Sequence, residues 1–181
     1  MNKTANPQRM TAIALIAAMY AALTLVFAPF SFGTVQVRVS EALTLLPVFS
    51  PIAIWGVTLG CAISNLVGVF MGTNILGVLD VFFGTGATLL AALLSHLLGK
   101  VRFFGLPVLA AIPPIILNGV IVGGELTYLI AGGFNWEIFL VQAASVAIGE
   151  AVSCLGLGLV MVYALEKTGV SHRIFKFSPQ R

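Results

Sequence analysis

From Met10 to Phe30 the chain runs without a single charged side chain, and comparable apolar runs follow almost to its end. About 20 apolar residues at 1.5 Å of rise each span the ~30 Å hydrocarbon core of a bilayer. Six apolar segments can be drawn, at about 10–30, 41–50, 51–71, 80–99, 106–128 and 138–165. Only 8% of the 181 residues are charged, where soluble domains carry about 25%. A soluble fold could not cover its surface with so few charges, whereas lipid requires an apolar exterior. The expected fold is all-α: one integral membrane domain over residues 1–181, a polytopic bundle of six transmembrane helices. Lys3 and Arg9 ahead of the first run imitate a signal peptide, but the run is longer than a signal core of about 7–15 residues. It is read as a retained first span.

The basic residues set the expected orientation. Lys3 and Arg9 precede the first span, Lys100 and Arg102 lie between the fourth and fifth, and Lys167, Arg173, Lys176 and Arg181 follow the sixth. With six crossings all eight fall on one side, which the positive-inside rule makes cytoplasmic. The expected topology is therefore a multi-pass cell-membrane protein with both termini inside. The second segment is too short to cross at 1.5 Å per residue unless Pro47 and Pro51 are absorbed into it. The net charge of +3 describes the inner rim and gives no reason to expect a nucleic-acid partner. Cys61 and Cys154 sit in apolar runs, and His96 and His172 stand alone, so neither a disulfide framework nor a metal site is expected.

Small residues recur every four positions: Ala14, Ala18 and Ala22 in the first span, Gly56, Gly60, Ser64 and Gly68 in the third, Gly84, Thr88 and Ala92 in the fourth. Such stripes let helices approach closely in lipid. Internal packing is the ordinary use. The all-Ala stripe of the first span, without polar groups, is the candidate for facing a partner.

Acids gather away from the basic clusters. Glu41, Asp80, Glu125 and Glu137 map to the outer ends of spans, and Glu150 lies within the sixth. A charge at the middle of a membrane helix costs about 2.5–3.5 kcal/mol on insertion scales, so it faces a polar interior. In the segment before Glu41, valines alternate with Gln36, Arg38 and Ser40, a strand-like period of two. Two readings are open there: an Arg38–Glu41 pair with Ser40 as helix cap, or a lid over an outer pocket. Asp80 fits either a helix first turn or that pocket, and Asn74 either a turn or a ligand contact. Pro113-Pro114 is expected to interrupt the fifth span and free the carbonyls of Leu109 and Ala110. Asn118 and Glu125 follow on a similar face. Tyr128 and Trp136 suit an interfacial aromatic belt or a stack against a flat ring. An outer pocket rich in acids and amides suits a ligand with several N–H donors or a positive charge.

The segments VRVSEALTLLP, DVFFGTGATLLAAL, NGVIVGGEL and AIGEAV together resemble the QueT group of substrate-binding S components of energy-coupling factor transporters, over nearly the whole chain. That resemblance implies a six-helix bundle with a pocket open to the outside, which captures a queuosine precursor, a deazaguanine base, for ATP-driven uptake. It implies a first helix docking a transmembrane coupling subunit through Ala14, Ala18 and Ala22. Two cytoplasmic ATPase subunits would hydrolyse the ATP, so the chain itself needs no cofactor. By resemblance Arg38 and Glu41 belong near the lid, and Asp80, Asn118, Glu125 and Glu150 in the pocket. Alternatives are an S component for another vitamin-like or purine-like solute, a membrane scaffold, or an intramembrane enzyme using Glu125 and Glu150. The enzyme has no nucleophile motif or cofactor fingerprint behind it, and a scaffold has no need of buried acids.

Overall fold

The computed structural model describes residues 7–33, 36–171 and 175. Lys3, Arg173, Lys176 and Arg181 lie outside the described residues. Among those described, five helices are long and apolar enough to cross a membrane: Pro7–Val26, Ile52–Phe70, Val78–Leu98, Val108–Ala131 and Trp136–Lys167. The chain is a multi-pass membrane protein. In chain order its α-helices are α1 (Pro7–Val26), the single turn α2 (Ala28–Ser31), α3 (Ile52–Phe70), α4 (Val78–Leu98), α5 (Ile112–Ala131), α6 (Trp136–Ala151) and α7 (Leu159–Lys167). A π-helical stretch, Val152–Gly158, joins α6 to α7, and a 3₁₀ turn, Val108–Ala111, leads into α5.

The first span ends earlier than its apolar run. Pro29 starts the separate turn α2 instead of extending α1, because proline suits the first turn of a helix and not its interior.

Glycines bring α1 and α3 into contact. A Cβ at Gly56 would lie 2.7 Å from Ile16 Cβ, and one at Gly60 would lie 2.6 Å from Tyr20 Cβ. Residue numbers rise together along both helices, so α1 and α3 run parallel. The same reading makes α5 and α6 antiparallel, since Gly119 meets Ala147 and Gly123 meets Ala143. In lipid, apolar burial between helices gains little over contact with acyl chains, so this close backbone approach is what holds them.

Parallel α1 and α3 require the chain to return between them. The 3₁₀ helix Val39–Val48, here the central helix, makes that return. Arg38 meets Asp80 at the start of α4, Glu41 accepts from Thr88, Pro47 meets His96, and Val48 packs on Gly99 just past the end of α4. A 3₁₀ helix rises ~2.0 Å per residue instead of 1.5, which is how ten residues cover so much of the depth. Ser40 through Pro47 are all buried, so other helices, not lipid, surround this segment. Pro47 is absorbed within it, while Pro51 caps α3 instead. The segment just before it, Gln36–Arg38, is extended but joins no sheet. It is tied by Val37 N–H donating to Phe30 O at 2.9 Å.

The bundle has two unlike ends. Lys100 and Arg102 follow α4, and Lys167 ends α7. Arg102 pairs with Glu166 at 2.8 Å. This basic end also holds the start of α1. Apolar clusters fill the interior toward it, with Leu43, Leu46, Ile54 and Val57 in one and Leu45, Ala110 and Val162 in another. The opposite end, under the extended segment, is polar.

Pro113 and Pro114 occupy the first turn of α5 instead of breaking its middle. The freed carbonyls have donors after all. Ala110 O accepts from Ser95 Oγ at 2.6 Å, and Leu109 O accepts from Ile112 N–H. The expected broken helix beside a pocket is therefore a helix start at the basic end.

Candidate functional site

Buried polar side chains form two tiers beneath the extended segment. Asp80 and Thr88 mark them on α4, eight residues or about 12 Å apart along the axis. Asn118 and Glu125 mark them on α5, about 10 Å apart.

The tier nearer the extended segment centres on Asp80, which is fully buried in the first turn of α4. Its Oδ2 accepts from Arg38 Nη2 and from Asn74 Nδ2, each at 2.8 Å. Its backbone carbonyl accepts from Asn65 Nδ2 at 2.8 Å. Arg38 is itself buried, donates from Nε to Ser31 O at 3.0 Å, and lies 5.4 Å over the Phe32 ring. Burial, the largest single effect, opposes the charge on Arg38, but the surrounding acidic groups, Asp80 foremost, together outweigh it and the guanidinium pKa rises above its ordinary value. Such a buried pair earns its desolvation only with the extra hydrogen bonds seen here. Arg38 thus pairs with Asp80, not with Glu41. Ser40 is not a cap: its Oγ accepts from Thr24 Oγ1 at 2.7 Å. Asn74 is a turn residue, its Oδ1 accepting from Leu76 N–H at 3.1 Å while its Nδ2 donates to Asp80.

Glu125 belongs to this tier. Both its carboxylate oxygens are buried and neither has a hydrogen-bond partner. Asp80 and Arg38 are the charges that act on it. Gln142 Oε1, on the facing helix α6, is likewise buried and unpartnered. Gln142 also lines a hollow of about 270 Å³ with Ile130, Glu137, Ile138 and Val141.

The deeper tier centres on Glu41 and Glu150. Glu41 is fully buried. Its Oε1 accepts from the Tyr20 hydroxyl and from Thr88 Oγ1, and its Oε2 has no partner. Cys154 Sγ lies 3.5 Å from the main-chain carbonyl of Glu41 and 3.8 Å from Glu150 Oε2. Asn118 lies beside Glu150 with its Nδ2 buried and unpartnered. Buried polar atoms are ordinarily satisfied, and Glu41 Oε2, Asn118 Nδ2, Asp80 Oδ1 and both Glu125 oxygens depart from that rule together.

The extended segment is also packed closely against α6. A Cβ on Gly149 would overlap the Gln36 carbonyl, so only glycine lets the extended segment lie so close to α6. One residue beyond Glu150, α6 passes into the π-helical stretch, a feature frequent at functional sites.

Tyr128 and Trp136 stand elsewhere, 62% and 68% exposed. Trp136 packs edge-on against Phe134, with ring centroids 4.9 Å apart. Ala14, Ala18 and Ala22 are exposed on α1, while Ala17 and Ala21 on its other face are buried. Sequence reasoning missed Tyr20, Thr88, Gln36 and Gln142. A signal existed for the first: Tyr20 and Thr24, one turn apart, are the polar positions on the α1 face opposite the Ala stripe. Among the described residues no group of His, Cys, Asp and Glu could hold a metal ion.

A family model described as QueT transporter matches residues 10–167 of the chain. No curated protein and no solved structure matches it.

Proposed function

We propose that this chain, which belongs to the QueT transporter family, is the substrate-capturing membrane subunit of an energy-coupling factor importer. Its ligand is a queuosine precursor, a deazaguanine base taken from outside the cell. The observation that carries this reading is the set of unpartnered carboxylate and amide atoms on Glu41, Glu125, Asn118 and Asp80, sealed beneath the Arg38 segment. A guanine-like edge presents adjacent N–H donors, and a carboxylate accepts them in pairs.

On this reading the central helix is the sixth crossing. Six crossings put the basic end and both termini in the cytoplasm and the lid outside, in keeping with the positive-inside rule. The chain then forms one domain, and Tyr128 and Trp136 lie at the outer rim. The exposed Ala14, Ala18 and Ala22 face docks a transmembrane coupling subunit, since small residues allow close helix approach. Two cytoplasmic ATPase subunits bind that partner and supply the energy, so this chain uses no cofactor and performs no catalysis.

Calorimetry of a deazaguanine base with the purified protein tests the assignment. Binding is expected, weakened about 1–3 kcal/mol by Glu150→Gln through loss of charge-assisted bonds. Absence of heat with every purine-like compound would assign the site to another class of solute.

A further inference from the structure

A strained turn lies far from the buried tiers, at the basic end between α4 and α5. Phe103 and Leu106 exchange both backbone hydrogen bonds, at 2.9 and 3.0 Å, around the central residues Phe104 and Gly105. Both central residues have positive φ, 51° and 81°. That is the pattern of a type I′ turn, which favours Asn-Gly. Among the described residues Phe104 is the only non-glycine with positive φ. A bulky side chain there is an outlier, and such strain collects at functional positions. Its effect is to set an aromatic ring, fully exposed, at the tip of the turn. Arg102 fastens the turn in place. Its Nη1 donates to Gly105 O at 3.3 Å and to Glu166 Oε1, near the end of α7, at 2.8 Å.

The neighbours of the ring identify what covers it. Leu90, Leu94 and Leu97 form an exposed stripe along α4. Val101 continues that stripe past the helix end, its N–H donating to Leu98 O at 3.0 Å. On a membrane-spanning helix such a stripe faces lipid, so hydrocarbon reaches the turn itself. Lys100 is exposed beside it and has no acidic partner among the described residues. An apolar ring next to a free cation at the end of a span matches the headgroup region of a bilayer. The ring sits at the acyl boundary and the ammonium group reaches anionic oxygens.

We propose that the turn from Lys100 to Leu106 is a membrane-surface anchor that recognises anionic phospholipid. Phe104 enters the acyl boundary, and Lys100 meets the negative headgroup. The proposal needs only that the chain spans a bilayer and is independent of what the buried tiers bind.

Cys61 and Cys154 are buried, so Phe103→Cys can carry a bimane fluorophore at the base of the turn, in nanodiscs of mixed phosphatidylcholine and phosphatidylglycerol. Headgroup-nitroxide phosphatidylglycerol should quench the label about fivefold more than the matching phosphatidylcholine, the weight of one basic residue near an anionic surface. Lys100→Gln should remove most of that preference. Phe104→Asn suits the turn better, so the hairpin should persist while the label becomes more open to iodide from the water. Phe104→Gly takes its place should that variant not fold. Equal quenching by the two lipids overturns the proposal, as does a preference that Lys100→Gln leaves intact or iodide access that loss of the ring leaves unchanged. A label shielded from lipid nitroxide and iodide alike would show that protein covers the turn, which also overturns it.

Discussion

Arg38 and Asp80, 42 residues apart in the chain, meet at 2.8 Å in a fully desolvated ion pair. This contact joins the lid segment to the start of α4, across which the central helix enters the bundle. Removing one partner strands a buried charge, which costs about 3–5 kcal/mol, whereas removing both restores much of the loss. Arg38→Gln and Asp80→Asn should each lower the melting temperature in detergent, and the double variant should melt above at least one of them. Additive losses in that double-mutant cycle would mean the pair does not hold the lid.

Gly149 gives a cleaner handle on lid closure. The Gln36 carbonyl lies where its Cβ would be, yet α6 itself tolerates alanine well. Gly149→Ala should leave helix content close to wild type but lower the melting temperature, because it pushes the extended segment, and Arg38 with it, off α6. Ligand should then dissociate faster, seen as a raised off-rate with little change in on-rate. An unchanged off-rate would show that the segment does not retain the ligand.

Tyr20 tests the deeper tier from the opposite side of the bundle. Its hydroxyl donates to Glu41 Oε1, leaving Thr88 as the other donor at 3.3 Å. Tyr20→Phe removes one donor to a buried carboxylate while keeping the buried ring and the Cβ that packs on Gly60. The expected cost is about 1–3 kcal/mol in stability, read by denaturation in mixed micelles. Stability equal to wild type would mean that Glu41 is protonated and needs no such donor.

Much of this architecture was legible in the sequence because lipid imposes strict rules. Apolar runs had to be helices, and the stripes at Gly56, Gly60, Ser64 and Gly68 became buried contacts. The central helix was legible as an odd segment but not as a 3₁₀ helix. That conformation follows from burial on all sides and from the distance to be covered, neither of which is a local property of VSEALTLLPV. Individual acids were legible for the same reason that they are costly. Their partners were not, since Arg38 finds Asp80 rather than its near neighbour Glu41 only through tertiary packing. The proline pair misled because Pro113 and Pro114 are compatible with either a break or a helix start. The position of Val108–Ala111 ahead of them decides it.

The two faces of α1 make opposite predictions for similar substitutions. Ala18 is exposed, whereas Ala17 lies buried with its carbonyl 2.8 Å from the place of a Cβ on Gly60. Ala17→Leu would force α1 off α3 and should destabilise the fold and ligand binding together, since overpacking costs typically 1–3 kcal/mol. Ala18→Leu adds bulk only outside the bundle. It should leave melting and ligand affinity intact but block close approach of a partner helix, lowering uptake in cells and co-purification with a coupling subunit. Loss of binding in Ala18→Leu would place that stripe inside the bundle, and undiminished uptake would move the docking face elsewhere.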